Sequence, residues 1–221
     1  MLMKKVGVVL AGCGVFDGAE IHESVLALLA LEKAGVEAVC MAPDKEQLHV
    51  INHLTGEVAD ESRNVLVESA RIARGNVRDL AGVSADELDA LVVPGGFGAA
   101  KNLSKFAVEG PDSEVDPGLK KLVEDMNAAG KPIGLICISP AVGAQILGKT
   151  GVELTIGTDT DTAAAVETTG AKHVSCGVTE IHVDNERKVI STPAYMLGQN
   201  ILEVSEGIGK LVETLVEWIP E

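Results

Sequence analysis

Short apolar runs alternate with amphipathic stretches along the chain, and glycines punctuate the joins. Val6 to Leu10 is a continuous apolar run and predicts a first strand. From about Ala19 to Ala34, the stripe Ile21, Val25, Leu28, Leu29 predicts a helix that Gly35 ends. Residues 36–42 predict a second strand. Residues 44–63 are mixed and read as irregular, with a turn at Thr55-Gly56. Asn64 to Arg74 predicts a helix with Asn64 as its cap and Gly75 as its stop. A short extended piece follows at 77–81, then a cap-like turn at Ser84 to Glu87. Asp89 to Val93 predicts a third strand, which runs into Pro94-Gly95-Gly96-Phe97-Gly98. Residues 104–116 read as a polar loop placed to cover a site. Pro117 to Ala129 is the next helix, capped by Asp116.

The segment Lys131 to Gln145 stands out from this alternation. Ile133 to Ile136 is apolar on both faces, as a buried parallel strand must be. A helix is predicted from about Ser139, with Pro140 in its first turn, where a missing N–H costs nothing. Cys137 sits at the apex between them. A strand-to-helix elbow lifts one side chain out of the sheet, strains its backbone and aims the helix N-terminus at it. That placement favours a reactive thiolate. The bland alternative is a buried, inert cysteine.

Beyond the elbow, Val152 to Ile156 predicts a strand and Asp161 to Thr169 a short helix. Val178 to Val183 and Lys188 to Ser191 predict a hairpin across residues 184–187. Thr192 to Met196 leads into a last amphipathic helix ending near Trp218. Strands alternating with helices, plus one late hairpin, predict an α/β fold: a three-layer sandwich around a mostly parallel sheet. With no repeat, linker or low-complexity tract, the 221 residues read as a single domain spanning 1–221.

Composition narrows the function. Aromatic residues make up only 2% of the chain, so the core must be built from Val, Leu, Ile and Ala. A net charge of −15 argues against nucleic acid and anionic membranes as partners, since phosphate binding needs a basic face. The densest apolar run, Val25 to Leu31, is too short for a membrane span, and the N-terminus reads as a strand, not a signal peptide. Cys13, Cys40, Cys137 and Cys176 form no CxxC pair, which points to free thiols in a reducing cytoplasm.

Other motifs are weak. Gly12-x-Gly14-x-x-x-Gly18 misses the dinucleotide fingerprint by one residue, and no Lys-Ser/Thr pair follows Gly95-Gly96 in P-loop spacing. The backbone N–H groups at Gly95-Gly96 suit either a phosphate cradle or an oxyanion hole. Glu20 and Glu23 lie in the first turn of the first helix, where carboxylates suit the dipole. That turn also lies at the C-terminal edge of the sheet, where α/β active sites form, so either carboxyl is placed to reach a thiol at the elbow.

A glutamate at the start of the first helix, Pro-Gly-Gly after a middle strand and the Cys elbow occur in that order. Together with Ala-Gly-Cys-Gly-Val-Phe-Asp-Gly-Ala-Glu-Ile-His-Glu23, Ile-Asn-His-Leu-Thr-Gly-Glu57, Val-Pro-Gly-Gly-Phe-Gly-Ala-Ala-Lys-Asn-Leu103 and Thr-Pro-Ala-Tyr-Met-Leu-Gly-Gln-Asn200, they extend over nearly the whole chain. The sequence resembles the class I glutamine amidotransferase-like superfamily, in its PfpI branch, and within it the ElbB-type glyoxalases that carry the label isoprenoid biosynthesis proteins with an amidotransferase-like domain. The resemblance implies a flavodoxin-like sandwich, usually a homodimer, with a cysteine nucleophile and neither metal nor organic cofactor. It makes Cys137 the nucleophile and Glu23 its acid partner, with Glu20 the lesser candidate. It places Gly95, Gly96 and Ile138 at the oxyanion hole.

The activity it implies is conversion of glyoxal to glycolate, with a small dicarbonyl compound as substrate, or removal of glyoxal adducts from amines. A glutaminase needs a histidine and a glutamate two residues apart near the last helix, and Thr-Pro-Ala-Tyr-Met196 stands there. His182-Val-Asp184 has tolerable spacing but falls at the hairpin. The alternatives are an amidotransferase subunit without its synthase and a redox sensor whose cysteine oxidises.

Overall fold

The computed structural model describes residues 3–220. Its elements in chain order are β1 (Lys5–Val9), α1 (Ile21–Lys33), β2 (Glu37–Ala42), α2 (Val65–Ile72), β3 (Arg78–Asp79), β4 (Ala90–Val93) and the single turn α3 (Phe106–Glu109). There follow α4 (Pro117–Ala128), β5 (Ile133–Ile136), α5 (Ser139–Leu147), β6 (Glu153–Leu154), α6 (Thr160–Thr168), β7 (Lys172–His173), β8 (His182–Asp184), β9 (Val189–Thr192) and α7 (Ile201–Glu217).

Seven strands form one sheet in the order β3-β2-β1-β4-β5-β9-β8. Every pair is parallel except β8 with β9, the late hairpin. The central strands β1 (past Lys5), β4, β5 and β9 are buried on both faces because helices cover both. On one face α1 packs against α7, and α7 lies so close over β5 that a Cβ on Gly134 would meet Leu211 Cδ2 at 2.7 Å. On the other face α4 and α5 pack together, and Gly143 of α5 sits against Leu135. Successive residues of β5 thus serve opposite layers, which is the period-2 geometry of a strand. The result is a flavodoxin-like three-layer sandwich.

The caps explain where helices begin. Asn64 accepts the Val67 N–H, Asp116 accepts those of Gly118 and Leu119, and Asn200 accepts those of Leu202 and Glu203. Two predicted strands come out shorter. Of residues 152–156, only Glu153 and Leu154 pair, and they pair with β7 in a small parallel sheet apart from the main one. Side chains take the neighbouring donors: the Thr155 N–H donates to Ser191 Oγ at 2.9 Å and the Ile156 N–H to His173 Nε2 at 3.3 Å. The hairpin's first strand begins at His182, not Val178. Ahead of it the Glu180 carbonyl accepts from Thr192 Oγ1 and the Thr179 carbonyl from Lys210 Nζ, so these groups have no ladder partner to offer. Among the described residues, no helix is long and apolar enough to cross a membrane.

Candidate active site

The site is built where β5 ends. Cys137 adopts φ +65°, a left-handed conformation that a residue with a Cβ visits at a cost of roughly 1–2 kcal/mol. Surrounding bonds impose it. The Cys137 N–H donates to the Thr192 carbonyl of β9 at 2.9 Å, which continues the ladder into the turn. Ser139, fully buried, accepts the Ile136 N–H at 2.8 Å and donates its hydroxyl to the Val93 carbonyl at 2.7 Å. One serine thereby fixes the elbow to the end of β4.

The turn after β4 runs beneath the elbow. A Cβ on Gly95 would stand 2.4 Å from the Cys137 Cβ and 2.8 Å from Glu23 Oε2, so only glycine allows this approach. Gly96 has φ +89°, and a Cβ there would meet the Glu20 nitrogen at 2.4 Å. The start of α1 closes the site from the third side. Glu20 caps α1, its Oε2 accepting the Glu23 N–H at 2.7 Å, while its own N–H donates to the Gly95 carbonyl. The cap aims Glu23 inward, where it is fully buried.

Glu23 is held at both oxygens. Oε2 accepts the Gly95 N–H at 2.9 Å and Oε1 accepts the Tyr195 N–H at 3.2 Å. Its carboxyl also stands close beside the Cys137 side chain, near enough that each shifts the other's protonation. The backbone N–H groups of Gly96 and Ile138 lie near the Cys137 sulfur. Burial, with the Glu20 charge adding to it, pushes the Glu23 carboxyl up to about 7, against the neighbouring thiol and the Tyr195 and Gly95 donors, which favour its charged form. Burial first, then the Glu23 charge, pushes the Cys137 thiol well up from its ordinary range, opposed by the Gly96 and Ile138 donors. Two anions side by side are disfavoured, so the pair keeps at least one proton between sulfur and carboxyl at neutral pH and gains its second near 7.

The structure therefore brings Cys137, Glu23, Gly96 and Ile138 together. Gly95 is placed differently from the expectation: its N–H is taken by Glu23, so it orients the acid and is not free as an oxyanion donor. Glu20 is the cap, and Glu23 is the carboxyl at the sulfur. Among the four free thiols, Cys137 is the one set beside a fully buried carboxyl. Burial pushes Cys40 and Cys176 up to about 11, with the Glu180 charge adding to it at Cys176. Asp184 is buried and accepts the N–H groups of Glu153 and Arg187, so His182-Val-Asp184 belongs to the hairpin's framework.

Sequence reasoning missed Ser139 and Tyr195. Ser139 carried a signal, being a serine just past the elbow cysteine in an otherwise apolar segment. Tyr195 carried one only as the lone tyrosine of the chain, because it acts on Glu23 through its backbone. Around the site, Asn102 donates to the carbonyls of Ala11 and Asp17, and Lys101 to that of Phe16, so the glycine-rich loop after β1 is tied to the segment after β4. Among the described residues, no three His, Cys, Asp or Glu side chains converge to hold a metal ion.

No family model matches the chain. Curated relatives do. The ES1 protein homolog, mitochondrial, of Rattus norvegicus is 47% identical over 223 residues, covering 96% of this chain and 83% of that protein. The human glutamine amidotransferase-like class 1 domain-containing protein 3, mitochondrial, is also 47% identical, covering 96% and 82%. The chain belongs to this ES1, glutamine amidotransferase-like family. A solved structure of an isoprenoid biosynthesis protein with an amidotransferase-like domain from Ehrlichia chaffeensis superposes with TM-score 0.91 at 39% identity, covering 97% of this chain and 99% of that one. A DJ-1 superfamily protein from Salmonella typhimurium, at TM-score 0.57 and 21% identity, shares the fold over 97% of this chain and 91% of its own. The cytoplasmic location expected from the free thiols is overturned, because the curated ES1 relatives are mitochondrial by name. Unbridged cysteines indicate a reducing compartment and do not choose among such compartments.

Proposed function

We propose that this member of the ES1 family is a cofactor-independent glyoxalase that converts glyoxal to glycolate through Cys137. One observation carries the reading: a fully buried carboxyl, with its pKa raised to about 7, is packed beside a strained elbow cysteine that has two backbone N–H groups near its sulfur. Movement of the shared proton onto Glu23 gives a thiolate and a carboxylic acid with no net change in charge. The thiolate adds to one aldehyde carbon. The alkoxide that forms takes the Glu23 proton while the Gly96 and Ile138 N–H groups hold its oxygen. The product is a hemithioacetal.

Glu23, now a carboxylate, removes the C–H proton from that carbon and returns it to the neighbouring carbon. The hydroxyl proton passes to the second oxygen. The hemithioacetal has then become its isomer, the thioester of glycolic acid. One water hydrolyses the thioester, releasing glycolate and restoring the thiol. Atoms and electrons balance as glyoxal plus water giving glycolic acid, with no external oxidant. The same addition to a glyoxal adduct of an amine accounts for a deglycase activity.

The human relative's name raises glutamine hydrolysis as another reading. That chemistry calls for a histidine as base, and none of the five histidines is hydrogen-bonded to Cys137. The site as built favours the aldehyde chemistry. We also propose a homodimer, supported by the exposed stripe Ile21, Val25 and Leu29 along α1. For the compartment, the relatives' names point to the mitochondrion.

The test is incubation of the purified protein with glyoxal and an assay for glycolate. Glycolate formation that Cys137→Ser abolishes supports the reading. Full activity in Cys137→Ser overturns the mechanism, and glutamine-dependent ammonia release lost in the same variant replaces it with the glutaminase reading.

A further inference from the structure

The chain between β9 and α7 passes the site in a turn that its own geometry does not favour. Ala194 has φ +43°, a left-handed conformation for a residue with a Cβ. Yet this turn carries the Tyr195 N–H, one of the two backbone donors on Glu23. Within the turn, the Met196 N–H donates to Pro193 and those of Leu197 and Gly198 to Ala194. Outside it, the Tyr195 hydroxyl meets His22 Nδ1 at 2.8 Å, with the two rings 5.8 Å apart. His22 belongs to the exposed side of the first turn of α1, one residue before Glu23. The bond joins residues 173 positions apart and ties the turn to the helix that carries the acid.

We propose that the His22–Tyr195 hydrogen bond is a latch that holds the Pro193–Met196 turn where the Tyr195 N–H reaches Glu23, so that both are positioning residues for the Cys137–Glu23 pair. The inference rests on Cys137 and Glu23 acting as a pair, but not on glyoxal being their substrate. Neither latch side chain needs to touch a reactant. The hydroxyl fixes the ring, the ring fixes the strained turn, and the turn presents its N–H.

The consequence is electrostatic. The titratable groups facing Glu23 are Glu20 from its own helix, Cys137 from the elbow and the Tyr195 hydroxyl from this turn; β4's turn offers only backbone. The Tyr195 N–H favours the charged carboxylate, so losing it strengthens proton binding by Glu23. The pH at which the pair takes up its second proton then rises. A purely structural contact on the far side of the protein has no such effect.

The experiment is the pH dependence of Cys137 alkylation by iodoacetamide in the full-length protein, followed by mass spectrometry. The wild-type profile should show a first rise with its midpoint near the Glu23 value of about 7, where the pair gives up its second proton, ahead of the main rise set by the raised Cys137 thiol. Tyr195→Phe keeps the ring and removes the hydroxyl, and it moves the midpoint upward by about one pH unit. His22→Ala, at an exposed position, does the same, with urea unfolding confirming that the variant is folded. His22→Asn puts an amide where Nδ1 stood and keeps the wild-type midpoint. An unmoved midpoint in Tyr195→Phe and His22→Ala overturns the latch, as does His22→Asn behaving like His22→Ala. If the wild type makes no glycolate while these shifts appear, the glyoxalase reading fails and the latch stands.

Discussion

Gly95 and Cys137 approach so closely that a Cβ on the glycine would stand 2.4 Å from the cysteine's own Cβ. The same added carbon would press on Glu23 Oε2 at 2.8 Å and on the Ile136 carbonyl at 2.9 Å. The cysteine Cβ and the Ile136 carbonyl belong to the fixed elbow, and Glu23 Oε2, though a side-chain end, is held by the Gly95 N–H itself. Gly95→Ala should therefore displace the elbow or the acid. Overpacking of this kind costs about 1–3 kcal/mol, and a displacement of about 1 Å at reacting groups costs about 10²-fold in rate. Urea unfolding and glycolate assays on the variant measure both. Wild-type stability with wild-type turnover would mean that the close approach is not needed.

Glu23→Gln preserves the shape of the acid and removes its ionisation. The Gly95 and Tyr195 N–H groups can still donate to the amide oxygen, but no group then accepts the Cys137 proton. Glyoxal turnover should fall about 10²–10⁴-fold, the usual range for a general acid–base. The inflection near pH 7 in the rate profile should vanish with it, since that is where Glu23 titrates. A rate profile that keeps this inflection in Glu23→Gln would assign it to another group.

The elbow and the strands were legible because each depends on local sequence. Ile133 to Ile136 is apolar throughout, and Pro140 can stand only in a helix's first turn, so Cys137 had one place to be. Glu23 was harder. Glu20 and Glu23 look alike in the first turn, and what separates them is that the Glu20 carboxyl is taken by the Glu23 N–H. The partner of the Gly95 N–H is out of the sequence's reach for a related reason: a backbone donor has no sequence signature for which acceptor it meets, and here it meets Glu23. Tyr195 and His22 lay further out of reach, because their bond spans 173 positions and neither touches the sulfur.

Ser139 makes a separate claim on stability. Its hydroxyl accepts from Ile136 and donates to Val93, joining β5, α5 and β4 at a fully buried point. Ser139→Ala leaves the Ile136 N–H and one lone pair of the Val93 carbonyl without this partner. An unsatisfied buried donor costs about 1–3 kcal/mol, so the variant should unfold at lower urea with an unchanged m-value. Its Cys137 should also alkylate at an altered rate, because the elbow has lost its tie to β4. A variant matching wild type in both measurements would show that water or a backbone shift replaces the serine without cost.

Glu23 also makes the protein's stability depend on pH. Folded, it holds its proton up to about 7; unfolded, the carboxyl returns to its ordinary value of 4.5. Between these values the folded state alone is protonated, so stability from this group is full below about 4.5 and is lost as pH rises toward 7. The gap of about 2.5 pH units amounts to on the order of 3 kcal/mol. Above 7 both states have released the proton and the group adds no further slope. Glu23→Gln removes the effect because an amide does not titrate. The wild type should therefore lose stability relative to Glu23→Gln between pH 4.5 and 7.5, by on the order of 3 kcal/mol in urea unfolding. The direction matters more than the size. A salt-bridged carboxylate would put the pH dependence below about 4.5, where the wild type would gain stability as pH rises, and leave it nearly level from 4.5 to 7.5; that result would show Glu23 charged and paired, not held as an acid beside Cys137.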